Sequence, residues 1–356
     1  MVLKHQVKKS LPPLFPRQIY EELDKYVVGQ DNAKKAVAIA AYNHIKRVNA
    51  VTAGENTLLR KSNILLAGPT GCGKTHIARH IARILDVKMT VADATEYTEA
   101  GYYGKDVEVM VGELLFACEL DVAECERGVI FIDEIDKLAR RNGGMRTGAG
   151  SRDIGGEGVQ QALLKIIEGR KIFVPLDVTQ HWSKHDFTQV DTSNILFICA
   201  GTFSDVWDYR DQGGIGFNAK KEKTVRRLTV KKLTEYGMIM ELLGRIPVVV
   251  ELDALNAEAL FRILKDPPDS VVKEYVELLS RDNVELAFED EALWEIAEYA
   301  HKKKLGARAL RGIIEEIMSD VLFDAPERGG GKVKVDKGFA AARLVKMEEE
   351  RPLAAD

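Results

Sequence analysis

Gly68-Pro69-Thr70-Gly71-Cys72-Gly73-Lys74-Thr75 fits G-x-x-x-x-G-K-[ST], the phosphate-binding loop of nucleoside triphosphatases. Its glycines let consecutive backbone N–H groups turn inward around an anion, a curl that a Cβ would block. Lys74 is placed to reach the terminal phosphates and the Thr75 hydroxyl to ligate Mg²⁺. The flanks agree with this. Residues 63–67 (NILLA) read as a buried strand ahead of the loop. Residues 76–85 (HIARHIARIL) read as the helix behind it, whose N-terminus favours phosphate charge. The competing reading is a glycine-rich turn that binds nothing, and strand and helix on either side weigh against it.

A second apolar strand, residues 128–132, ends in Asp133-Glu134. Carboxylates delivered by a strand beside the loop complete an ATPase site, with Asp133 holding the Mg²⁺ shell and Glu134 polarising the attacking water. Their distance from Lys74 along the chain suits neighbouring strands. Further short apolar runs at 89–93 and 194–200 alternate with helical or loop segments, which predicts a parallel sheet covered by helices. Residues 1–16 are basic and proline-rich and read as an extended lead-in; 17–27 and 31–48 read as helices. Two glycine-rich insertions, 141–158 and 201–223, are too long for plain connectors. After Val250 the pattern turns helical (256–264, 269–279, 290–301, 307–323), with a short strand at 332–335. The expected organisation is a large domain at 17–251, a smaller mainly helical domain at 252–346 and a disordered tail at 347–356.

The 356 residues suffice for about two domains with real cores. The net charge of -4 gives no broad basic surface, which argues against a nucleic-acid partner. Four cysteines, Cys72, Cys118, Cys125 and Cys199, form no C-x-x-C, so neither a zinc site nor a disulfide framework is implied. The N-terminus lacks the apolar stretch of a signal peptide, and no run of 18 apolar residues exists to span a membrane. A cytoplasmic protein, or one from an organelle matrix, is expected.

Phosphate loop, VIFIDEIDK (129–137) and a helical second domain resemble an AAA+ ATPase. The fuller resemblance is to the ClpX family of hexameric protein unfoldases, which feed the ClpP peptidase. It is carried by YVVGQDNAKK (26–35), AGPTGCGKT (67–75), ADATEYTEAGYYGKDVE (92–108), GEGVQQALLKIIEG (156–169), VDTSNILFICAGTF (190–203), GIGF (214–217), GRIPVV (244–249) and GARALR (306–311). These stretches cover nearly the whole chain, and the sister unfoldase HslU shares several of them.

The resemblance implies roles that spacing alone does not. Arg245 matches the arginine finger that reaches a neighbouring subunit's ATP. Arg308 matches the sensor-2 arginine, which ties the small domain to nucleotide in its own subunit, while Arg311 suits an ordinary salt bridge. Val27 and Val28 match residues lining the adenine pocket, and His76 follows the phosphate loop. Thr202 is the nearest polar residue to the sensor-1 position. Tyr102 and Tyr103, in Gly101–Gly104, match the aromatic pore loop that grips a translocating chain; the second tyrosine replaces an aliphatic residue. Arg146 and Arg152 fall in the place of the second pore loop. Ser183-Lys184-His185 falls at the pore-entrance loop but lacks its first basic residue. Ile215, Gly216 and Phe217 match the loop that docks on ClpP.

The family also usually begins with a Cys₄ zinc-binding domain. Met1 stands about 15 residues before the ATPase module, so no zinc is expected. The expectation is thus an ATP- and Mg²⁺-dependent homo-hexameric unfoldase that threads protein substrates into a ClpP-type peptidase. Two alternatives are a peptidase-independent remodeller and a DNA-acting AAA+ motor. The latter would need a basic or winged-helix module, and none is found.

Overall fold

The computed structural model describes residues 10–98, 105–140, 156–175, 187–204, 206, 228–325, 327 and 330–350. They fall into two compact units. The first takes residues up to 21, 31–69 and 74–252; the second takes 22–30, 70–73 and the chain from 253 onward.

The first unit is built on a five-stranded parallel sheet. In chain order its strands are β1 (Ile64–Ala67), β2 (Met89–Asp93), β3 (Val129–Asp133), β6 (Leu196–Gly201) and β7 (Val248–Glu251). A separate antiparallel pair, β4 (Lys171–Pro175) with β5 (Phe187–Asp191), lies outside that sheet. The sheet order is β2-β3-β6-β1-β7. β1 and β6 are buried along their whole length, the near-continuous apolar run expected where helices cover both faces. After β1 the chain crosses to the far edge and walks back through β3 and β6. This corrects the expected adjacency of β1 and β3, because β6 lies between them, with Leu65 opposite Cys199 and Phe131 opposite Ile198. The core joins Leu65, Ile130 and Phe197 to Leu114 and Ile166 from the covering helices.

The extended lead-in is tied down. Asn49 accepts from the Leu11 N–H at 2.7 Å and donates back to its carbonyl at 3.0 Å, and Leu11 is buried. Helix α1 (Pro16–Asp24) opens on a proline, whose missing N–H costs nothing at a first helical position. It stops short of the expected residue 27. Helix α2 (Asp31–Thr52) runs one turn further than expected. Strand β7 is an unexpected element: four residues after a proline are too few for a periodic signal, and its pairing with β1 supplies what the local pattern lacks.

The second unit holds helices Ala257–Lys265, Val271–Ser280, Asp290–Lys302, Arg308–Asp324 and Lys337–Glu350. The Asn256 and Ser270 side chains cap the first two, each accepting an N–H from the first turn. A parallel two-stranded sheet joins β8 (Val284–Phe288) to β9 (Gly331–Val335). Leu260, Leu264, Ile296, Ile313 and Ile317 belong to its core. The final helix continues past residue 346 to Glu350, and Glu348 within it pairs with Lys303 at 2.7 Å. The architecture is the α/β class expected, with a smaller, mainly helical second unit. Among the described residues, no helix is long and apolar enough to cross a membrane.

Candidate active site

The phosphate loop leaves the end of β1 and enters helix α3 (Lys74–Ile84). Gly71 and Gly73 take φ values of 76° and 100°, a region side chains rarely adopt. A Cβ at Gly73 would meet nothing within 4 Å, so the glycine serves the backbone's turn and leaves space over it. Lys74 is buried, and its Nζ donates to the carbonyls of Gly68 at 2.7 Å and Pro69 at 2.9 Å. Thr75 is half-buried, Cys72 is buried, and His76 is exposed with its ring edge-on to His80.

Asp133 ends β3 half-buried, and its Oδ1 accepts the Glu134 N–H at 2.9 Å. Glu134 is exposed and left-handed, with φ 56° and ψ 30°. A non-glycine residue held there is uncommon, and such strain gathers at functional sites. Two residues on, the buried Asp136 accepts from the Thr202 hydroxyl at 2.8 Å and the Phe203 N–H at 3.2 Å. Gly201 leaves no room for a Cβ, which would lie 2.8 Å from Asp136 Oδ1. The ends of β3 and β6 are thereby locked together, with Thr202 engaged by Asp136. The Thr75 hydroxyl and the Asp133 carboxylate, both in the first unit, are oxygen donors of the kind a hard divalent cation takes.

Residues 59–249 match the AAA domain (Cdc48 subfamily), and residues 255–337 match the C-terminal, D2-small domain, of ClpB protein. A relative from Wolinella succinogenes, the ATP-dependent Clp protease ATP-binding subunit ClpX 2, is 44% identical over 335 residues, which are 94% of this chain and 83% of the relative. The chain belongs to the ClpX family of AAA+ ATPases. As a ClpX-family protein it is an ATP-hydrolysing, Mg²⁺-dependent chaperone of the Clp unfoldase type.

The other ClpX-family positions can be placed within their own units. In the first, Arg245 caps the C-terminus of the short helix Met240–Gly244. Its carbonyl accepts from Asn63 Nδ2 at 2.8 Å, and its guanidinium meets Glu168. In the second, Val27 and Val28 are buried, at 5% and 8% exposure. Gln30 holds their segment by pairing its side-chain amide with the Asp253 backbone, donating at 2.8 Å and accepting at 3.0 Å. Arg308 is exposed on the first turn of its helix. Arg311 forks onto Glu274 at 2.9 and 2.5 Å, an ordinary salt bridge. Ala307 donates its N–H to the Gly71 carbonyl at 3.2 Å, and Gly306 comes so near Gly71 that a Cβ on it would lie 3.0 Å from Gly71 Cα. Tyr102, Tyr103, Arg146, Arg152, Ser183–His185, Ile215, Gly216 and Phe217 lie outside the described residues.

Sequence reasoning missed the residues that hold the site in place. Gln160 is fully buried and donates to the Leu138 carbonyl at 2.7 Å and the Gly237 carbonyl at 3.3 Å, while accepting the Ile239 N–H at 2.8 Å. Asn63 accepts the Phe197 N–H at 3.2 Å with the oxygen of the same amide that grips Arg245. Asn63 precedes the apolar run of β1 and Gln160 stands beside a second glutamine, so neither carries a local signal of the remote backbone groups it satisfies.

Proposed function

We propose that this chain forms a homo-hexameric ring that uses ATP to unfold protein substrates and thread them through a central pore into a ClpP-type peptidase. The single observation carrying this is the 44% identity to a ClpX relative over 94% of this chain. On this reading the large and small domains are residues 17–251 and 252–346.

The phosphate loop binds the triphosphate through backbone N–H groups from Gly68 to Thr75, and Lys74 exchanges its loop carbonyls for phosphate oxygens. When bound, Mg²⁺ supplies charge neutralisation at the transferring phosphate, with Thr75 and Asp133 as the residues that would hold it. Glu134 orients and deprotonates the attacking water, and the Asp133 contact to its N–H fixes where it starts. Arg245, given to the neighbouring subunit, stabilises charge on the transferring oxygens. Val27 and Val28 take the adenine, and Arg308 senses the nucleotide. Tyr102 and Tyr103 grip the substrate chain with large, sequence-tolerant aromatic faces. Ile215 and Phe217 fill apolar clefts on the peptidase.

Two variants test this. Tyr102→Ala is expected to keep ATP turnover and lose most unfolding of a tagged fluorescent protein. Phe217→Ala is expected to keep unfolding and lose stimulation of a ClpP-type peptidase. Unfolding at the parent's rate by the first removes the pore role. Parental peptidase stimulation by the second removes the docking role and favours a peptidase-independent remodeller.

A further inference from the structure

Arg245 and Glu168 meet at the surface of the first unit with both backbones fixed. The guanidinium Nε donates to Glu168 Oε1 at 2.8 Å, and Nη2 lies 2.7 Å from the same oxygen. That occupies one edge of the planar fork. Among the described residues Nη1 meets no acceptor, so the other edge stays open to a second bidentate acceptor, the shape a phosphoryl group presents.

The anchoring on each side is unusual for an exposed pair. Glu168 directly follows the helix Gly156–Ile167, its N–H held by the Leu164 carbonyl at 3.0 Å. The buried Thr192 hydroxyl donates to the Ile166 carbonyl at 2.8 Å and accepts the Arg170 N–H at 3.0 Å. Gly169, at φ 95°, sits against Ser193 so closely that a Cβ would lie 2.8 Å from Ser193 Cα. On the other side Asn63 holds the Arg245 carbonyl. Gln160, on the helix that Glu168 directly follows, also takes the Ile239 N–H just ahead of the helix that Arg245 caps. Exposed ion pairs are usually weak because two long side chains must be ordered. Here the backbones are ordered beforehand, so the pair sets the direction of the guanidinium.

We infer that Glu168 is a positioning residue for Arg245, holding the Nε edge so that the free edge is presented to the nucleotide of the neighbouring subunit. The inference rests on Arg245 acting in trans, as proposed above.

The experiment uses assembled rings of the full chain and steady-state ATP hydrolysis for Arg245→Ala, Glu168→Ala, Glu168→Gln and the Arg245→Ala/Glu168→Ala double variant. Arg245→Ala is expected to lower kcat by at least about 100-fold. Glu168→Ala should lower kcat about 10-fold with KM for ATP within about twofold, because the arginine is misdirected and the subunit's own loop is untouched. Glu168→Gln keeps an acceptor oxygen and should recover part of the loss. In the Arg245→Ala background, Glu168→Ala should add nothing. Mixing Glu168→Ala with Glu134→Gln subunits should raise turnover per Glu168→Ala subunit, since its site then borrows a well-aimed arginine.

An Arg245→Ala ring that hydrolyses at the parent's rate sinks the trans-arginine reading itself. A disabled Arg245→Ala ring beside a Glu168→Ala ring with parental kcat overturns the positioning role alone. So does an unchanged rate per Glu168→Ala subunit on mixing.

Discussion

Gln160→Leu removes one amide from the interior while nearly conserving its volume. Three hydrogen bonds go with it, to the carbonyls of Leu138 and Gly237 and from the N–H of Ile239. The Gly237 carbonyl keeps the Arg140 N–H at 3.0 Å, so its loss is slight. The buried Leu138 carbonyl and the Ile239 N–H lose the amide that satisfied them. At about 1 kcal/mol per bond, with about 1 kcal/mol more for groups left unsatisfied, destabilisation reaches about 3–4 kcal/mol. For a unit of this size each kcal/mol moves Tm by about 2–4 °C, so a fall of about 10 °C is expected. Circular dichroism melts follow the helices of both units, and the fall is expected in the transition of the first. ATP turnover should fall more than ATP affinity, because Leu138 follows Glu134 closely and Ile239 precedes the helix that Arg245 caps. A Tm within about 3 °C of the parent would refute the reasoning, since it would mean the amide's partners find others without cost.

Glu134→Gln should retain ATP binding and lower turnover by about 10²–10⁴-fold, measured by nucleotide titration beside phosphate release; parental turnover rules out its role as base. Burial, with Lys61 and Arg47 nearby, pushes the His44 imidazole down to about 3, and its Nε2 has no hydrogen-bond partner among the described residues. The unfolded chain therefore binds a proton near pH 6.5 that the folded chain refuses. Stability is lost as pH falls from about 6.5 toward 3, by up to about 1.4 kcal/mol per pH unit, and His44→Leu should flatten that slope in urea titrations. Lys105, three residues after Tyr102 in the chain, joins Glu96 at 2.9 Å to Glu113 at 3.0 Å. Lys105→Glu should slow protein unfolding severalfold and leave ATP turnover within about twofold, an outcome that equal unfolding rates would contradict.

Much of this protein could be read before it was seen. The strand-loop-helix around Gly68–Thr75 and the strand ending in Asp133 follow from local pattern, since apolar runs and glycines mark their bounds. Four of the five sheet strands announce themselves as apolar runs between helical stretches. Strand order does not, because β6 enters between β1 and β3 through contacts far apart in the chain. β7 escapes because four residues carry no period. Gln160, Asn63 and Gln30 escape for a different reason. Each works by satisfying backbone groups of segments remote in sequence, so nothing local marks it out. The left-handed turn at Glu134 is equally silent, since no glycine flags it.

The interposed strand β6 has a consequence for the spacing of its neighbours. Neighbouring strands lie about 4.8 Å apart, so β1, which leads into the phosphate loop, and β3, which ends just before Glu134, stand about 10 Å apart. Backbone hydrogen bonds fix that gap, and side-chain substitutions cannot easily change it. On the proposed reading, the terminal phosphate and the water that attacks it lie across that gap. The sheet thus acts as a caliper set one strand wide, with Thr202 at the tip of the strand in the middle.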